Sequence, residues 1–168
     1  MPRLVDQGVT RLTWVPGDDG IASIDAPTLA ELATGRDLTC IMVSTYEVRM
    51  DGSDTTSERA VCETANTDAP TMKNYMGRFE LFRQWDDVLL AWEVEDVLQW
   101  LDYKALGTFV RRLGLPRDAA YAAGQQVEAY KLMADEAQIQ GGTGQGYLKA
   151  TVPMLKQGSA TTRAVVAA

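Results

Sequence analysis

The sequence predicts a mainly β protein: a β-sandwich or barrel-like fold of antiparallel strands with one flanking α-helix. Three observations carry that prediction. Short runs rich in Val, Ile, Thr, Tyr, Phe and Trp recur along the chain, separated by Gly, Pro and Asp turn signals. A single stretch, Trp92 to Leu101, shows clear 3.6-residue spacing. Finally, the four glycines between 141 and 146 feed a β-type run beginning at Tyr147 rather than a helix.

The elements follow in order. Thr10 to Val15 reads as a strand with Leu12 and Trp14 on one face, closed by the turn cluster Pro16 to Gly20. Thr28 to Ala33 is a short helical turn after Pro27, ended by Gly35. Ile41 to Met50 is a strand with Met42, Tyr46, Val48 and Met50 on one face. Asp51 to Thr71 is rich in Ser, Thr, Asp and Ala without apolar periodicity, and is expected to be a long polar loop of functional importance. Asn74 to Trp85 is a strand placing Phe79, Leu81 and Trp85 on one face, interrupted by Arg83, and Arg78, Glu80, Phe82 and Gln84 on the other. In the expected helix Val94, Val97, Leu98 and Leu101 share a face, with Glu93, Glu95 and Asp96 solvated at its positive end. Thr108 to Leu113 and Gln125 to Asp135 are strands, and Arg111-Arg112 suggests an exposed edge blunted by charge. Tyr147 to Leu155 is a further strand that Pro153 would confine to an edge or end. Thr161 to Ala168 offers a last short strand, in this chain or to a neighbour.

Composition bounds the functions. The 168 residues suit one domain, able to bury roughly 70% of its unfolded surface without disulfide or metal. We read residues 1–168 as one domain with an N-terminal arm 1–9, a loop 51–71 for assembly and a C-terminal arm 158–168. No apolar run reaches a membrane span, and Met1 to Gln7 lacks the apolar region of a secretion signal, so synthesis in the cytoplasm and no membrane partner are expected. The net charge of −7 and pI of about 4.6 argue against tight nucleic-acid binding. Histidine is absent, which removes the commonest acid/base and metal ligand. Cys40 and Cys62 lack CxxC spacing and are expected to be reduced, mostly structural thiols. We expect no cofactor, no metal and no catalytic residue.

The glycine stretch GGTGQG lacks the Lys-Ser/Thr of a phosphate loop and breaks the G-x-G-x-x-G pattern at Tyr147, so a hairpin turn is the better reading. The carboxylates Asp86, Asp87, Glu93, Glu95 and Asp96 lack calcium-loop spacing. Of the four tryptophans, three are expected in the core or at subunit contacts.

DLTC (37–40), SERAVCETAN (57–66), NYMGRFELFR (74–83), FVRRLG (109–114) and GGTGQGYLKATVPMLKQG (141–158), in that order, resemble the tail tube (major tail) proteins of long-tailed, non-contractile phages, particularly those infecting actinobacteria. The resemblance spans about residues 35 to 160. It implies a β-sandwich with a flanking helix, six copies to a ring, and rings stacked into a hollow virion tail that conducts DNA in transient, non-specific passage. It further implies assembly in the host cytoplasm on a tape-measure protein, with tail terminator and distal tail or tip proteins as partners. Lumen-facing candidates on the polar strand faces are Glu47, Arg49, Arg78, Glu80, Gln84, Glu128 and Lys149. Candidates for contacts between subunits or rings are Asp51, Asp54, Glu58, Arg59, Glu63, Arg111 and Arg112. The competing reading is another virion connector or a non-catalytic sandwich binding module, in which exposed aromatics would form a ligand platform.

Overall fold

The computed structural model describes residues 8–59, 61, 62, 65, 67–86, 91, 92, 96–140 and 146–168, with side chains excepted at 85, 86, 91 and 92. Its elements are β1 (Arg11–Pro16), α1 (Leu29–Ala33), β2 (Arg36–Asp37), β3 (Glu47–Glu58), β4 (Thr67–Phe82), β5 (Trp85–Asp86), β6 (Ala91–Trp92), β7 (Leu106–Arg112), β8 (Gln126–Ala134), β9 (Gln138–Ile139) and β10 (Lys149–Val165). One sheet runs β2-β1-β7-β8-β10-β4-β3, with β9 also on β10, and β5 pairs with β6 apart from it. Every pairing between these strands is antiparallel.

The sheet is rolled. β1 and β4 stand four strands apart, which in a flat sheet separates them by about 19 Å. Yet the Trp14 ring on β1 meets the Phe79 ring on β4 edge-on at 6.0 Å, and Phe79 meets Phe109 of β7 at 5.2 Å. Residues 38–43 close the remaining gap. The Leu38 amide donates to the Leu12 carbonyl (2.9 Å), and five residues later the Val43 amide donates to the Glu80 carbonyl (2.8 Å). The inner face of the roll is the main core, with Trp14, Phe79, Phe109, Tyr130, Leu132 and Val152 essentially inaccessible.

Part of the outer face is covered as well. Val15, Val110, Val127, Ala129 and Ala164 point outward and pack beneath Ile21, Leu32 and Val166. α1 supplies Leu32 and is set by a reciprocal cap. Thr28 Oγ accepts from the Glu31 amide (3.2 Å), and the Glu31 carboxylate accepts from the Thr28 amide (2.7 Å). Gly35 follows because a Cβ there would lie 2.4 Å from Thr13 Cγ2, too close for β2 to reach β1.

Most strand expectations hold: Thr10–Val15, Asn74–Trp85, Thr108–Leu113, Gln125–Asp135 and Tyr147–Leu155 correspond to β1, β4, β7, β8 and the start of β10. Five readings are corrected. Ile41 to Tyr46 is not regular strand. Amides of Ile41 and Met42 bond the Leu38 carbonyl, so the chain turns there, and β3 begins at Glu47. The loop expected over 51–71 is instead the outer part of the β3–β4 hairpin, paired from Asp51↔Asn74 to Glu58↔Thr67. Both its faces are exposed, so no apolar alternation marks it.

The helix expected over Trp92–Leu101 reduces, among the described residues, to a 3-10 turn at Val97–Gln99. Tertiary bonding overrides the period there. Asp96 is fully buried rather than solvated, and its carboxylate accepts from Arg83 Nη2 (2.7 Å), Arg83 Nε (2.9 Å) and the Gln84 amide (3.1 Å). Val97 and Leu101, one turn apart, then fill the core. The same pair explains why Arg83 interrupts an apolar strand.

Pro153 is not at an edge: it lies within β10, between β4 and the β8–β9 side. Its carbonyl accepts from Asp135 N, so its missing N–H faces the interval where β10 changes partner from β9 to β8 and no ladder bond is lost. Finally, β7 is an inner strand, so Arg111 and Arg112 do not blunt an edge.

Removing one member of a buried ion pair leaves the other charge uncompensated, at about 3–5 kcal/mol. Asp96→Ala should lower unfolding free energy by about that amount in urea titrations, and Arg83→Met/Asp96→Leu should recover most of it. A second outcome concerns α1. Backbone donation from Ala22 and then Thr28 holds the Glu31 carboxyl below its ordinary value of 4.5. The ionised form is the one the fold favours, so its stabilisation is present above 4.5 and is lost as pH falls through the lowered value. Thermal melts should therefore show Glu31→Gln less stable than the parent at pH 7, with the gap closing under acid conditions.

Candidate assembly surface

The hairpin arm projects from the roll. From Asp51 to Glu58 it spans about 24 Å at ordinary strand rise. A two-stranded ribbon with nothing packed on either face is marginal in water, and every described residue of the arm from 51 to 59 and 67 to 73 is exposed. It carries Asp51, Asp54, Glu58 and Asp68 against Arg59 and Lys73. At its root the ladder slips between Asp51 and Thr55. There the Asn74 side-chain amide donates to the Gly52 carbonyl (3.2 Å) and to Asp54 Oδ1 (2.9 Å), while its oxygen accepts from Lys156 of β10. Beneath it Tyr75 joins arm to roll. Its hydroxyl donates to the Lys131 carbonyl (2.7 Å) and accepts from the Gln157 amide (2.8 Å), at the point where β10 bulges against β8.

Next to the arm root lies an uncovered stretch of the roll's outer face. It brings together five of the seven sequence-predicted lumen candidates. Glu47 and Arg49 of β3, Arg78 and Glu80 of β4, and Lys149 of β10 share this face by register, opposite the buried Val48, Phe79 and Leu81. Their charges alternate across the strands: Arg78 Nε lies 3.8 Å from Glu47, and Lys149 Nζ lies 3.5 Å from Glu80. The Thr45 hydroxyl also donates to Glu80, and that bond, with the charges of Lys149 and Arg78, holds the Glu80 carboxyl below its usual range. The Lys149 ammonium sits 5.8 Å over the Phe82 ring, which meets Tyr147 edge-on at 5.6 Å.

The other two candidates lie elsewhere. Gln84 follows β4, where its amide serves Asp96. Glu128 faces the opposite way, at the end of the inner core, paired with Arg111 (Nε to carboxylate, 2.8 Å). Burial opposes the Arg111 charge, but the bond to Tyr46 and the charge of Glu128 hold its guanidinium above its ordinary value. Burial and Glu128 push the Tyr130 hydroxyl, which also donates to Glu128, up to about 12.

Of the subunit-contact candidates, Asp51, Asp54, Glu58 and Arg59 are on the arm, while Glu63 lies outside the described residues. Arg112 is buried. Its guanidinium donates to the carbonyls of Pro116 (2.7 Å), Ala119 (2.7 Å) and Ala120 (3.2 Å) of its own chain. Cys40 and Cys62 are both exposed and free, so neither is a core thiol. Trp14 is in the core, and Trp100 packs partly buried against it with Arg36 over its ring at 5.0 Å. The Trp85 and Trp92 side chains, Asp87, Glu93, Glu95, the N-terminal arm to residue 7 and the glycines 141–144 lie outside the described residues. The described flanks of the glycine stretch, β9 and β10, pair antiparallel as a hairpin requires.

A rolled sheet with a charged outer face and a strand arm exposed on both sides defines a structural β protein. The chain belongs to a family described as phage tail tube protein, whose profile matches residues 1–168. Its place is thus the tail of the virion, as a structural component. No curated protein matches it. Among solved structures it is similar to a chain in the cryo-EM structure of the anti-feeding prophage (AFP) baseplate, 6-fold symmetrised, at a TM-score of 0.56 and 11% identity, over 96% of each chain. At that identity the likeness concerns the fold.

Asn74→Ala should release the arm root without disturbing the roll. Amide exchange in 52–58 should accelerate several-fold while Tyr130 and Leu132 exchange as in the parent.

Proposed function

We propose that six copies of this chain close into a ring and that rings stack into the hollow tube of a long, non-contractile phage tail, through which DNA passes during ejection. The observation that supports this most strongly is the arm: a ribbon about 24 Å long, exposed on both faces, gains a packing surface when it lies on a neighbouring copy. On this reading Asp51, Asp54, Glu58 and Arg59 contact the next subunit or ring, and β3, the sheet's outer strand, pairs or is covered there.

The same reading turns the face of Glu47, Arg49, Arg78, Glu80 and Lys149 toward the lumen. Each close cation–carboxylate pair there is neutral overall, so phosphates find no run of unopposed cations to hold them. With −7 on each copy, the ring as a whole repels DNA. The role carries no catalytic step. The tape-measure protein, the tail terminator and the distal tail or tip proteins are the partners the role implies, and assembly takes place in the host cytoplasm.

Negative-stain microscopy of the purified protein should show tubes or six-fold rings. Replacing residues 53–70 by an Asn-Gly turn should leave a folded monomer, by circular dichroism and melting, that no longer polymerises. A parent protein that stays monomeric when concentrated and when offered tail tips overturns the proposal.

A further inference from the structure

Arg11 of β1 and Arg112 of β7 are directly opposite each other in the ladder, both pointing to the outer face beneath α1. Like charges in that position repel, and Arg112 is fully buried. Both guanidiniums lie over the same ring, that of Tyr121, at 5.1 and 5.3 Å. They also share an acceptor, since Arg11 Nη1 (2.9 Å) and Arg112 Nη1 (2.7 Å) both donate to the Ala119 carbonyl. The described carboxylates near them are Asp118 and Asp37. Asp37 is half exposed and 3.7 Å from Arg11 Nη2. Burial, opposed by Tyr121 and reinforced by Arg11, draws Arg112 below its ordinary value.

Two donors are left over. The Nε–H groups of Arg11 and Arg112 are both inaccessible and neither has an acceptor among the described residues. A buried orphan donor is a cost that a small turn of the exposed part of Arg11 toward a water or an ion would relieve, and a guanidinium edge matches two oxygens of an oxyanion. Beside the Arg11 side chain is a cavity of about 330 Å³, lined by Arg11, Thr13, Leu29, Leu32, Asp37 and Tyr121 but not by Arg112. The Thr13 hydroxyl is 2.8 Å from the Tyr121 hydroxyl on its wall.

We propose that this cavity between β1, α1 and the 113–121 loop is a site for one small oxyanion, a phosphate or a carboxylate group, held by Arg11 with Arg112 behind it. The occupant offsets the opposed guanidiniums and ties the loop, whose carbonyls they already hold, to the helix. Its source is either a free ion or an acidic side chain of another copy.

The test is a melt of the full-length chain titrated with inorganic phosphate and, separately, with acetate, each against chloride at equal ionic strength. A saturable rise in Tm with phosphate or acetate beyond chloride is expected, together with a shift of the Arg11 Nε–H resonance and none at Arg83. Arg11→Leu should melt cooperatively and lose the rise, and Arg11→Lys should retain part of it. Equal melting in all three salts, or an undiminished rise in Arg11→Leu, overturns the proposal. If the occupant is a neighbour's carboxylate, acetate and phosphate slow association of the parent but not of Arg11→Leu; if it is a free ion, they stabilise the parent without slowing association.

Discussion

The contact of Trp14 with Phe79, continued by Phe79 to Phe109, governs this structure. It joins strands that the sheet order sets far apart, so it exists only when the sheet is rolled. Rolling then dictates much else. It gives the inner face a core without a second sheet. It brings the β1 side near enough to β4 for residues 38–43 to step across. It also forces close backbone approach: a Cβ on Gly107 would stand 2.5 Å from Trp14 Cζ2. The buried Arg83–Asp96 pair serves the same end by fastening the 96–101 segment, with Val97 and Leu101, onto the core.

The arm stands at the other extreme. Its strands hold each other by backbone bonds but bury no apolar face, so local opening there is cheap compared with opening of the roll. The molecule thus divides into a packed roll that fixes geometry and an appendage with no apolar packing of its own. The charged outer face beside the arm belongs to the rigid part, since its residues alternate with the core residues Val48, Phe79, Leu81 and Val152 along the same strands.

The strands that the sequence revealed are those with one face in the core. Phe79 and Leu81 inside, Arg78 and Glu80 outside, follow directly from a two-residue period. The arm was illegible for the complementary reason: a ribbon wet on both faces has no period to read, and Thr-Thr-Ser looks like loop. Among the described residues the helix expected at Trp92–Leu101 shortens to one turn because Asp96, expected in solvent at its positive end, is bound instead by Arg83, thirteen residues away. Glu47, Arg49, Arg78, Glu80 and Lys149 share one outer face because each alternates with a core residue on its own strand. The direction of Glu128 is not legible in the sequence, because β8 has core on both sides, Tyr130 within and Ala129 without. Nothing in the sequence distinguishes Arg112, buried, from Arg111, half buried; their neighbours 113–121 decide it.

The slipped register at the arm root has a consequence for how such chains can diverge. Side chains alternate along a strand, so the ladder fault between Asp51 and Thr55 determines which residues of the ribbon look to each side. Adding one residue to one strand beyond the fault would turn every later side chain of that strand over. Adding two to each strand would lengthen the reach and keep its handed presentation. Lengthening of the arm would therefore keep its facing in even steps, and an odd step would require a second fault to restore it.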